Sequence, residues 1–168
     1  SSGGNLNTAR GRPGGAGSGN TNALAFGGDV PGSPTVTGNT EAYDGSSWTE
    51  VNDLNTARAQ GGGVGATNTA ALSFGGILPP TTPNNSALTE LWNGTNWTEV
   101  NDMNAAKRNM GPIGTSTSAL AAAGGPPAVA TNESWNGTSW TEVADLNTAR
   151  NQLAAAGADN TSGLAFGG

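Results

Sequence analysis

An all-β fold of stacked four-stranded sheets is what this sequence predicts, and three observations predict it. A phrase, Trp48-Thr49-Glu50-Val51-Asn52-Asp53-Leu54-Asn55-Thr56-Ala57-Arg58, recurs nearly word for word at residues 97–107 and 140–150, and its second half opens the chain at residues 5–10. Taking Asn5, Asp53, Asp102 and Asp145 as equivalent, the repeats are spaced by 48, 49 and 43 residues, the range in which solenoids and propellers repeat. Within each period, short alternating apolar patterns are bounded by Gly, Asn, Thr and Pro, which reads as strands and turns and gives helix little claim.

Each element follows from its residues. The closure Leu24-Ala25-Phe26-Gly27-Gly28 returns as Leu72-Ser73-Phe74-Gly75-Gly76 and Leu164-Ala165-Phe166-Gly167-Gly168, and in degraded form as Leu120-Ala121-Ala122-Ala123-Gly124-Gly125. Leu and Phe two apart share one face of a half-buried strand, and the diglycine ends it. Runs of small residues precede the closures, such as Gly61-Gly62-Gly63-Val64-Gly65-Ala66 and Leu153-Ala154-Ala155-Ala156-Gly157. Such residues suit a strand where backbones converge.

After the diglycine come linkers of variable length, residues 29–39, 77–88 and 126–131, read as loops from their Pro, Gly, Thr and Asn content. Next, Asp44-Gly45, Asn93-Gly94 and Asn136-Gly137 each sit between two aromatic-bearing runs, which is a strong hairpin signal. Every period thus holds four short strands. A single such sheet cannot bury enough surface to offset an ordering entropy of about 1–2 kcal/mol per residue. Stacking sheets face to face removes the difficulty, with Tyr43, Trp48, Trp92, Trp97, Trp135 and Trp140 as the filling.

The pattern of a diglycine after an apolar strand, then Glu-x-Tyr or Glu-x-Trp, a later Trp and a following Arg resembles the kelch repeat across nearly the whole chain. That resemblance implies a β-propeller of four-stranded antiparallel blades with the small-residue strand innermost. The fuller wording, Trp92-Asn93-Gly94-Thr95-Asn96-Trp97-Thr98-Glu99-Val100 and its neighbours, is similar to repeat arrays in structural and tail-fibre proteins of marine phages. About 3.5 blades are present, in one repeat domain, 1–168, with units at approximately 5–52, 53–101, 102–144 and an incomplete 145–168. The expected outcome is a four-bladed ring or an arc completed by another copy. Because the sequence begins at Ser1 in mid-phrase, a processed chain or a segment of a longer one is also expected.

Composition narrows the function. A net charge of −6 with only six basic residues argues against a nucleic-acid partner, and no apolar run is long enough for insertion in a membrane. The chain has no Cys, no His and one Tyr. Zinc sites, Ser-His and Cys-His nucleophiles and the His/Tyr copper site that the kelch resemblance brings to mind therefore lack their residues. Neither a metal nor another cofactor is expected.

Thirteen of the eighteen charged residues recur at equivalent positions: Glu41, Glu90 and Glu133; Glu50, Glu99 and Glu142; Asp53, Asp102 and Asp145; Arg10, Arg58, Lys107 and Arg150. A charge present in every repeat serves the repeat, so each basic residue is expected to tie an inter-blade turn to a carboxylate or to carbonyls. A ring of carboxylates holding a cation is the weaker reading. Likewise the tryptophans are read as packing between blades before carbohydrate stacking.

In an up-and-down blade, the long linkers and the residues just after each basic position fall on the same face of the disc. Both vary from unit to unit, and variable loops on a rigid frame make binding surfaces. The candidate ligand-binding residues are Arg12, Asp29, Gln60, Arg108, Asn109, Asn151 and Gln152. The function expected is a non-catalytic structural or adhesion module, extracellular or on a virion surface, binding a glycan or a cell-surface protein through that face. An intracellular protein-interaction adaptor of the kelch type and a sugar hydrolase with paired carboxylates are the alternatives; a homo-oligomer remains open.

Overall fold

The computed structural model describes residues 4–32, 35–78 and 84–168. The tips of the first two long linkers, at 33–34 and 79–83, lie outside the described residues. Fourteen strands and no helix are found among those described. The first blade holds β1 (Gly14–Gly19), β2 (Asn22–Phe26), β3 (Thr40–Tyr43) and β4 (Trp48–Val51), hydrogen-bonded in that order. The second holds β5 (Gly62–Thr67), β6 (Ala70–Phe74), β7 (Thr89–Trp92) and β8 (Trp97–Val100); the third holds β9 (Gly111–Thr115), β10 (Ser118–Gly124), β11 (Val129–Trp135) and β12 (Trp140–Val143). A fourth unit has two strands, β13 (Leu153–Asp159) and β14 (Ser162–Gly167). All neighbouring strands are antiparallel. The result is an all-β, propeller-like series of blades whose sheets do not close on one another.

The small-residue strands form the hub. β5 packs beside β1 and β9, and β13 beside β9. A cavity of about 360 Å³ is lined by Gly15, Gly63, Gly114 and Gly157 with their neighbours, three residues from each of the four inner strands. A Cβ on Gly63 would approach the Gly15 amide nitrogen to 2.6 Å, so the convergence read from composition has a steric cause.

The apolar cores lie between blades. Leu24, Phe26 and Leu54 meet Ala71, Trp92 and Trp97 across the first interface, and Val64, Leu72 and Phe74 meet Met103, Trp135 and Trp140 across the second. Trp97 stands edge-on over Phe26 with ring centroids 4.8 Å apart, and Trp140 is tilted over Phe74 at 4.9 Å. Each indole N–H crosses to the preceding blade: Trp97 Nε1 donates to Thr40 Oγ1 at 3.1 Å and Trp140 Nε1 to Thr89 Oγ1 at 3.0 Å. Burial of a large ring with its polar edge satisfied is what makes tryptophan suited to this position. Trp48 lies instead against Tyr43 of its own blade and donates to the Gly4 carbonyl at 3.0 Å.

The outer hairpins turn through four residues, 44–47, 93–96 and 136–139. Asp44 Oδ1 accepts from the Ser46 and Ser47 N–H groups, and Asn93 and Asn136 do the same in their blades. These N–H bonds hold the Asp44 carboxyl below its ordinary value. One expected loop is shorter than read: of residues 126–131, Val129 to Thr131 belong to β11. With so few residues between them, β10 and β11 extend their ladder to the Gly124–Val129 pair across a bulge, where the Ala123 N–H donates to Asn132 Oδ1.

Candidate functional site

The recurrent phrase is a staple between blades, and almost every word of it makes a bond. In the linker from the first blade to the second, Asp53 Oδ1 accepts from the Thr40 N–H and the Leu54 N–H donates to the Gly38 carbonyl, so these two residues hold the first blade. Asn55, Thr56 and the Arg58 guanidinium hold the second blade. Glu90 accepts from the Asn55 N–H at 2.8 Å, the Asn55 side-chain amide at 2.9 Å and the Thr56 N–H at 3.2 Å, and pairs with the Arg58 guanidinium. Arg58 also donates to the Leu88 carbonyl at 2.7 Å.

Glu41 is used in the same way by Asn7, Thr8 and Arg10, and Glu133 by Asn104, Ala105 and Lys107. All three carboxylates are buried, which is tolerable because each is paired and filled with donors. Burial pushes the Arg10, Arg58 and Lys107 values down, opposed by the adjacent glutamate. Glu50, Glu99 and Glu142 sit directly opposite the buried glutamates on the neighbouring strand and are exposed. Among the described residues, no three acidic side chains gather as a cation site. Arg150 differs from the other three basic residues: it donates to the Gly167 carbonyl at 3.1 Å, and among the described residues no carboxylate pairs with it.

The linker crosses the diglycine of the preceding blade. Gly28 N–H donates to the Arg58 carbonyl and Gly76 N–H to the Lys107 carbonyl, each at 2.9 Å. Gly27 and Gly75 have φ of +63° and +65°, and a Cβ on either would lie 2.5–2.6 Å from that carbonyl oxygen. The diglycine therefore does more than end a strand: it admits the next linker.

Immediately after each basic residue the four linkers converge. Arg12, Gln60, Asn109 and Gln152 surround the mouth of a cavity of about 280 Å³, each followed in the lining by its neighbour, Pro13, Gly61, Met110 or Leu153. All four have left-handed backbone, with φ of 50°, 60°, 54° and 55°. Non-glycine residues rarely adopt it, and four equivalent instances ask for a cause. It lies in a main-chain ladder: Gln60 N–H donates to the Arg12 carbonyl at 3.3 Å, Asn109 N–H to the Gln60 carbonyl at 3.0 Å, and Gln152 N–H to the Asn109 carbonyl at 2.8 Å. The turn aims the Gln60, Asn109 and Gln152 amides at the unit before, with the Arg12 carbonyl as the first acceptor, and leaves the side chains at the mouth.

Of the candidate binding residues, these four are brought together. Asp29 stands at the rim, where Arg12 Nε donates to its Oδ2 at 2.6 Å. Arg108 faces elsewhere: it is buried and donates to Asn85 Oδ1 at 3.1 Å, a bond to the β6–β7 linker. Asn151 is half-buried and does not line the mouth. Two features had no readable signal in the sequence. The left-handed turn falls on Arg12, Gln60 and Gln152, which do not advertise it, as well as on Asn109, which favours it, and the ladder uses only main-chain atoms. No protein-family model matches the chain, and no curated protein matches it either, so the functional reading rests on this geometry.

Proposed function

We propose that the chain is a non-catalytic binding module, a kelch-type repeat array of the kind its wording shares with phage structural and tail-fibre proteins, acting at an extracellular or virion surface. The observation that carries this reading is the mouth at the hub. Four polar side chains of three kinds, from Arg12, Gln60, Asn109 and Gln152, are held in one backbone conformation around one opening. A repeat that keeps its staples while these positions change between guanidinium and amide has the form of a binding surface on a fixed scaffold.

Amide side chains donate and accept at once, and a guanidinium supplies a planar fork of donors. That set suits the paired hydroxyls of a sugar, with Pro13 and Met110 as apolar neighbours in the lining. A glycan is therefore the favoured ligand. The test is a glycan array probed with the wild type and with the triple variant Arg12→Ala/Gln60→Ala/Gln152→Ala. A signal present for the wild type and lost in the variant, with an unchanged melting curve, is expected. No signal from either protein would remove the glycan reading.

A further inference from the structure

Two junctions between units are made in the same way, a third shares their linker crossing and hub rung, and both halves of a fourth are present on the chain without meeting. At the made junctions, Trp97 covers Phe26 and Trp140 covers Phe74. The linker crosses the diglycine, its Arg58, Lys107 or Arg150 carbonyl accepting from Gly28, Gly76 or Gly124. The hub ladder adds a rung at each of the three.

The fourth unit presents the receiving half. Leu164 and Phe166, equivalent to Leu72 and Phe74, are exposed. A Cβ on Gly167 would meet nothing within 4 Å, where Gly27 and Gly75 are covered by a linker. The first blade presents the inserting half. Trp48 is half-buried on Tyr43 with no phenylalanine beneath it, and Leu6, the equivalent of Leu54, is half-buried rather than seated in a core cluster. Among the described residues, no diglycine N–H reaches the Arg10 carbonyl, and no rung of the ladder joins Arg12 to Gln152.

We propose that the first blade of a second copy docks on the fourth unit, head to tail. Its Trp48 comes to lie over Phe166, its Leu6 and Arg10 carbonyl cross the Gly167–Gly168 turn, and its Arg12 N–H continues the ladder at Gln152. The occupant is specified by the complementarity of the two free faces, whose matched forms are seen at the junctions already made. Such a contact is heterologous, so it adds copies in one direction until a ring closes. It also extends the mouth, because the second copy's Arg12 side chain takes the place beside Gln152. This inference is independent of the ligand: association is read without any sugar.

The experiment is the solution mass of the whole chain by sedimentation equilibrium over a range of concentrations, for the wild type and two one-sided variants. Phe166→Arg blocks the receiving face and Leu6→Arg blocks the inserting face; Trp48→Ser is a second inserting-face variant, and matching circular dichroism melts check that each is folded. The wild type is expected to rise above the monomer mass of 16.5 kDa as concentration increases, and each variant alone to stay at it. An equimolar mixture of Phe166→Arg and Leu6→Arg should reach the mass of two chains and stop, since one intact face of each kind remains. A wild type that is monomeric throughout overturns the proposal. So does association of either variant alone to the wild-type extent, which would mean like faces pairing, and so does a mixture that stays monomeric.

Discussion

β6 and β14 are spelled almost alike, and they live in opposite surroundings. Leu72 and Phe74 on β6 are fully buried, whereas Leu164 and Phe166 on β14 are 66% and 49% exposed. Their own sheets do not account for the difference, because the ring that buries Phe74 is Trp140, contributed by the next blade. A word of this repeat therefore specifies a strand and a face, and the neighbouring unit decides whether that face is core. The same holds for the charged words. Arg58 finds Glu90 in the blade its linker leads into, while Arg150 leads into a unit of two strands and bonds to a carbonyl.

That comparison is most strongly tested at a staple. Glu90→Ala removes the acceptor of three donor groups and leaves the Arg58 guanidinium buried without its partner; the expected loss is about 3–5 kcal/mol in denaturant unfolding. Arg150→Ala, at the equivalent basic position without a carboxylate, should cost less than about 1 kcal/mol in the same measurement. If the two losses prove equal, the staple is not what distinguishes the blades.

Next comes the pair of phenylalanines. Phe74→Ala should destabilise by about 3 kcal/mol or more, as an aromatic deleted from a packed core does. Phe166→Ala, at a concentration where the protein is monomeric, should change stability by no more than about 0.5 kcal/mol. Thermal melts of the two variants side by side read the contrast directly.

The smallest effect expected lies in the inner turns. In the second blade that turn is tied by the Thr67 and Thr69 hydroxyls, but in the fourth unit Asp159 Oδ1 accepts from the N–H and hydroxyl groups of both Thr161 and Ser162. These bonds lower the Asp159 value from 3.8 to about 2. A carboxylate lowered by folding stabilises the fold above its unfolded value and loses that contribution as pH falls through the folded one. Acidification from about pH 4 to pH 2 should thus loosen the β13–β14 turn and leave the β5–β6 turn unaffected. Carboxyl carbon shifts and amide exchange at the two turns, followed by nuclear magnetic resonance, would check it.

Much of the fold was legible because repetition turns a weak local signal into a strong one. The Asn-Gly turns, the alternation of Leu and Phe and the small-residue runs each fall where a strand or turn is found, and the role of Arg58 as a tie to a carboxylate could be argued from its recurrence. The partner of each word was harder to see. Nothing in the spelling of Asp53-Leu54-Asn55-Thr56-Ala57-Arg58 says that Asp53, Leu54 and the Arg58 carbonyl hold one blade while Asn55, Thr56 and the Arg58 guanidinium hold the next, since that division arises only when two sheets are placed side by side. The linker at 126–131 reads as all loop for a related reason: its length, more than its composition, converts part of it into strand.

Part of the candidate site was legible from variation between units. Variation after each basic residue marked Arg12, Gln60, Asn109 and Gln152, which do converge, but it also marked Arg108, which turns inward to Asn85. Variation shows where the scaffold makes no demand. It cannot tell a side chain at an opening from one folded away beneath it.

The hub ladder runs from carbonyl to amide, so the positions that carry it place no chemical requirement on their side chains beyond tolerance of one turn. Evolution can then rewrite the mouth one letter at a time, trading a guanidinium for an amide or a longer amide for a shorter one, while the frame that presents those groups keeps its shape. Such a scaffold suits a protein that must follow a changing target.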